Sequence, residues 1–114
     1  KKNNFFKTNN LHHSSLAIRR ELLLKVGCYD ENLDVCIDLD LYFRLVQKKL
    51  KLAICEKIFV ARNIGSSRVF AKFSKKKYLM NLILLRKKYR SIIKPSIYTY
   101  LYDIRLKILY LLSK

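Results

Sequence analysis

The spacing of apolar side chains along this chain changes repeatedly between residues 12 and 111, and each change marks an expected element. The run from His12 to Ile18 has no helical period and reads as a short extended segment, followed by a two-turn helix over Arg19 to Val26. Gly27 should stop that helix in the left-handed conformation that glycine adopts without steric cost. Cys28 to Leu33 is polar and rich in Asx side chains, which compete with helical hydrogen bonds, so a loop is expected. Asp34 can cap a second helix that places Leu41, Leu45 and Val46 on one face and Arg44, Gln47, Lys48 and Lys49 mostly on the other. From Leu52 to Arg62 the pattern shifts to rough alternation of Ile, Val, Phe and Ala, the period of a strand, and Gly65, Ser66 and Ser67 close it. Beyond Ser74, a suitable N-cap, Tyr78, Leu82, Leu85, Tyr89 and Ile92 recur at helical spacing with Lys76, Lys77, Arg86, Lys87, Lys88 and Arg90 around them. Pro95 interrupts that period, and Ile97, Leu101, Ile104, Ile108 and Leu111 form a second stripe.

A chain of 114 residues has room for one small domain, so any multi-part chemistry must share a single core. Two Gly and one Pro in a chain that is 51% apolar exclude a linker, a collagen-like repeat and a disordered tail. Cys28, Cys36 and Cys55 are an odd number at spacings that fit neither a zinc site nor a disulfide framework, and they read as reduced, cytosolic thiols. Lys or Arg interrupts every long apolar stretch, so no membrane-spanning segment is expected. The chain opens on Lys1, without Met and without a charged-then-apolar leader, which reads as a fragment with no secretory signal.

Net charge changes the picture more than size does. The formal value is +17, and it is unevenly placed. Residues 1 to 20 hold five basic and no acidic side chains, 21 to 56 hold five basic and seven acidic, and 57 to 114 hold fifteen basic and only Asp103. The carboxylates available for chemistry therefore sit in a near-neutral middle, and the positive field belongs to the second half.

The middle carries a resemblance. Ser14-Ser15-Leu16-Ala17-Ile18-Arg19-Arg20, Val26-Gly27-Cys28-Tyr29-Asp30-Glu31 and Asp38-Leu39-Asp40-Leu41-Tyr42-Phe43-Arg44-Leu45 follow one another in an order that resembles the later half of family 2 nucleotide-sugar glycosyltransferases. Phe59-Val60-Ala61-Arg62 with Gly65-Ser66-Ser67 is similar to that family's closing segment. The resemblance implies an α/β fold: the acceptor-side part of a GT-A domain over residues 1–73, followed by a basic amphipathic helical tail over 74–114. It implies inverting transfer of a sugar to an acceptor hydroxyl in polysaccharide or glycolipid synthesis, with Asp38 as the base that takes the hydroxyl proton. Asp30 and Glu31 would border the acceptor site. Asp40 and Arg44, four apart on a helix, would form an ion pair or help shape the active-site helix, and Arg62 would support the site.

Several positions depart from the family pattern. Ile37 stands where a Glu usually precedes the base, Cys28 replaces the second Gly of the turn, and Ala61 replaces an aromatic. Asn63 and Ile64 occupy a stretch that often carries a metal-holding His. His12 and His13 are adjacent and would point to opposite faces of a strand, which makes them poor joint ligands. The Asp38-Leu39-Asp40 run spells the family's metal-binding Asp-x-Asp but follows the turn and leads into a helix, so the donor motif would lie elsewhere. The resemblance thus implies Mn or Mg for the complete enzyme and none held by this chain alone, which is expected to be inactive by itself. It implies a nucleotide-sugar donor, a glycan or lipid-linked acceptor, and a cytoplasmic location. The basic tail adds an anionic membrane surface as an expected partner and the cytoplasmic membrane face as a site of action. The competing reading is a noncatalytic basic module for nucleic acid or membrane. Its nucleic-acid form finds no helix-turn-helix, zinc or RNP signature, and the aromatics fall on apolar stripes.

Overall fold

The computed structural model describes residues 12–51, positions 53, 55, 57, 60 and 61, and residues 74–93 and 96–113. Among the described residues a short 3-10 turn over His13–Ser15 is followed by four helices: α1 (Arg20–Lys25), α2 (Ile37–Gln47), α3 (Lys75–Lys88) and α4 (Ile97–Leu112). Among the described residues there is no strand and no sheet, which overturns the expected α/β GT-A architecture. A strand is stable only when a neighbour takes its backbone N–H and C=O groups, and this chain offers too few candidate strands to build such a ladder. The segment from His12 to Ile18 accordingly makes the 3-10 turn and then runs extended without pairing. Positions 53, 55, 57, 60 and 61 of the expected strand are irregular and exposed, and the rest of it, with Arg62, Asn63, Ile64 and Gly65 to Ser67, lies outside the described residues.

Helices provide the core instead. Val35, Cys36, Leu39 and Phe43 meet Leu79, Leu82, Leu85 and Tyr89 of the α3 segment and Leu106 of α4. On its other side α2 sets Leu41, Tyr42 and Leu45 against Val26, Leu16, Ile18 and Leu23. The expected one-sided surface helix is therefore buried on two sides, and Leu39 through Phe43 are buried without a break.

Local chemistry explains the ends. Val26 caps α1, and the backbone N–H groups of Gly27 and Cys28 donate to Leu24 and Leu23 at 3.0 and 2.9 Å, the paired bonds of a Schellman turn. Gly27 takes φ +86°, as its place in the sequence implied. A Cβ there would meet Arg44 Nη1 at 3.7 Å, an ordinary contact, so backbone conformation and not space selects glycine. The same turn closes α2, where Lys49 and Leu50 donate to Val46 and Leu45 at 2.9 and 3.1 Å, but there Lys49 holds φ 55°.

The starts of the helices differ in how they are capped. Ser74 caps α3 by accepting the Lys77 N–H at 3.1 Å. Ser96 and Thr99 form a reciprocal capping box on α4. Asp34 does not cap α2: the N-cap is Cys36 at φ 62°, and the Asp34 carboxylate pairs with Lys77 of α3.

Candidate functional site

The two aspartates of α2 stand about 200° apart around a helix of 3.6 residues per turn, so they meet different surroundings. Asp40 points into the interior and is 0% exposed. Its Oδ2 accepts from Arg44 Nε at 2.7 Å, and its Oδ1 accepts from the Tyr89 hydroxyl at 2.7 Å and Lys88 Nζ at 3.3 Å. Arg44 Nη1 continues the chain by donating to the Val26 carbonyl at 2.5 Å. One carboxylate thus ties the turn at Val26 and Gly27, the helix α2 and the end of α3 into a single unit. The Asp40–Arg44 pair at i and i+4 is present with its carboxylate buried, so the few tenths of a kcal/mol of an exposed helical pair do not apply to it. Desolvation and the bond to Asp40 both push the Tyr89 phenol up from its ordinary value, so Tyr89 is a donor across the neutral range.

Asp38 sits in the first turn of α2, half-buried, with Oδ1 accepting the Leu39 N–H at 2.9 Å. Its charge is felt by Cys36, Tyr42 and Tyr78, each raised to about 12, chiefly by burial and secondarily by this carboxylate or its neighbours. Tyr42 leads outward: its hydroxyl lies 3.2 Å from His13 Nδ1, and His13 Nε2 lies 3.3 Å from the Tyr29 hydroxyl. His13 and Tyr29 pack edge to face with centroids 5.7 Å apart, and both are exposed. The arrangement is a carboxylate at a helix start and, on the same helix four residues on, a protonated Tyr42 phenol that meets an exposed His–Tyr pair.

The remaining expected positions are placed as follows. Asp30 accepts the Asn32 backbone and side-chain N–H groups at 3.0 and 3.1 Å, and these bonds hold its carboxyl below the usual range. Glu31 is exposed in the same turn. Arg62 lies outside the described residues. Asp38 and Asp40 cannot chelate a metal together, because both oxygens of Asp40 are committed to Arg44, Lys88 and Tyr89. No group of three or more possible ligands converges among the described residues.

Sequence reasoning missed two partners. The contact of His13 with Tyr42 spans 29 positions, and no spacing in the sequence signals it. Tyr89 was visible as part of an apolar stripe, and its hydroxyl, which needs a partner once buried, was the available signal. No family model, curated protein or solved structure matches the chain.

Proposed function

We propose that this chain is the acceptor-side segment of an enzyme that transfers a sugar from a nucleotide-sugar to a hydroxyl, with Asp38 as the general base. The observation that carries the reading is the placement of the two aspartates: Asp40 is fully buried between α2 and the end of α3, while Asp38 is half-buried in the first turn of α2. The order of residues 26 to 44 and the place of Asp38 at the start of α2 support this role without a GT-A sheet. In the step, Asp38 takes the hydroxyl proton as the acceptor oxygen bonds to the anomeric carbon, and the nucleotide leaves with the electron pair of the broken bond. A helix N-terminus favours the ionised carboxylate that such a base requires. Exposed Tyr29 and His13 offer ring faces and donors of the kind that hold a sugar.

On this reading the groups that bind nucleotide and metal belong to another part of the enzyme. Calorimetry of the 114-residue chain with nucleotide-sugars and manganese should show no saturable heat. Micromolar binding by the folded chain overturns the proposal.

A further inference from the structure

We infer that the outward face of α4 is a docking face for an anionic lipid bilayer. The inference stands on α4 and its neighbours and does not depend on the sugar-transfer reading. Sequence spacing singled out Ile97, Leu101, Ile104, Ile108 and Leu111 as an apolar stripe, and such a stripe ordinarily packs on the core. The structure places it on the opposite side. Tyr102, Leu106 and Leu109 pack against the core that α3 lines and Thr99 is also buried, while the stripe stays open, from 49% exposed at Ile104 to 79% at Leu111. An open apolar face as long as a helix of 16 residues, about 24 Å at 1.5 Å per residue, is more than scattered surface residues account for.

Charge identifies the occupant. Arg105 flanks the stripe on one side and Lys107 on the other, and neither forms an ion pair among the described residues. The one carboxylate of α4, Asp103, is turned away and held by Arg86 at 2.5 Å and Arg90 at 3.2 Å. Beside the stripe, Met80, Ile83 and Leu84 of α3 join Tyr110 and Leu111 to line an apolar groove of about 340 Å³ with Lys107 at its edge. Lys76 and Lys87 stand on the same side of α3 as Met80. An apolar strip bordered by long cationic side chains matches a bilayer surface: the strip enters the acyl boundary while Lys and Arg reach the headgroups. A second copy of the chain fits less well, because a symmetric pair would set Arg105 and Lys107 against their own counterparts.

The test is co-sedimentation of the full 114-residue chain with vesicles. Binding to mixed phosphatidylglycerol–phosphatidylcholine vesicles is expected to exceed binding to pure phosphatidylcholine, and to weaken as salt shortens the screening length from about 10 Å at 0.1 M to about 3 Å at 1 M. Ile108→Asp should cut binding roughly tenfold or more, and Arg105→Ala about fivefold. Lys25→Glu, outside this face, should leave it within about twofold. Ile108 is half exposed, so its substitution should leave the helical circular dichroism unchanged. Equal affinity for neutral vesicles overturns the inference. So does retained binding by folded Ile108→Asp, or a concentration-dependent dimer that Ile108→Asp dissolves while vesicles never bind.

Discussion

Replacing Asp40 by Asn keeps the shape of the side chain and removes the charge at the junction of α2, α3 and the turn at Val26. The wild-type carboxylate accepts two short bonds, from Arg44 and Tyr89, and a longer one from Lys88, whose side chain is 54% exposed. The Lys88 contact is screened by water and contributes under about 1 kcal/mol. The other two are charge-assisted and buried, worth about 1.5–3 kcal/mol each, and Arg44 Nη2 already lacks a partner among the described residues. Losing one partner of a buried pair ordinarily costs about 3–5 kcal/mol, and since Asn retains one acceptor oxygen the expected loss is about 3 kcal/mol. Urea unfolding followed by circular dichroism should show it as a lower midpoint at unchanged slope. Tyr89→Phe should cost about 1–2 kcal/mol, and the double variant should be less destabilised than the two single losses added, because the partners share one bond. A loss below about 1 kcal/mol for Asp40→Asn, or strict additivity with Tyr89→Phe, would refute the claim that this carboxylate holds the helices together.

Lys49→Gly should stabilise the fold by about 1 kcal/mol, since Lys49 holds a left-handed conformation that glycine adopts freely, and thermal melts would read it. Gly27→Ala should destabilise by about 1 kcal/mol or more for the converse reason. Asp103→Ala should cost about 3 kcal/mol by leaving Arg86, 5% exposed, without its carboxylate, whereas pairing it with Arg86→Met should recover most of that loss. Cys36 is raised from its ordinary 9.0 to about 12, and Tyr42 and Tyr78 from 10.0 to about 12. These groups stabilise the fold only while protonated, so stability should be level below pH 9 and fall as pH rises toward about 12, read by unfolding midpoints across that window.

The helices were legible where local rules decide them. Gly27 as a stop, Ser74 as a cap and the Tyr78-to-Tyr89 stripe as a packing face all follow from short-range chemistry, and the structure agrees. Position on a helix was less legible than the helix itself. The Ile97-to-Leu111 stripe has the same period as the packed stripe of α3, and no local signal says that Thr99 and Leu106 face inward instead. Asp34 has the chemistry of an N-cap, but Lys77, distant in sequence, takes its carboxylate and the helix begins later, at Ile37 with Cys36 as its N-cap. The expected sheet failed for a related reason: strand periodicity marks a segment able to pair, while pairing needs neighbours that spacing cannot supply. At the site, the i and i+4 spacing of Asp40 and Arg44 was visible, but the buried hydroxyl that closes on Asp40 belongs to Tyr89, 49 positions away.

On the sugar-transfer proposal, the most direct test compares turnover of Asp38→Asn and Asp40→Asn in a longer protein that joins this chain to a nucleotide-binding part. Donor binding is measured alongside, and folding is verified for each variant. Asn cannot accept the acceptor proton, so Asp38→Asn should keep donor affinity and lose about 10²- to 10⁴-fold in kcat, roughly 3–5 kcal/mol of transition-state stabilisation. Asp40→Asn should act through stability, with kcat recovering at temperatures where the variant is folded. Near wild-type turnover by Asp38→Asn would contradict the account, and so would a folded Asp40→Asn that has lost transfer.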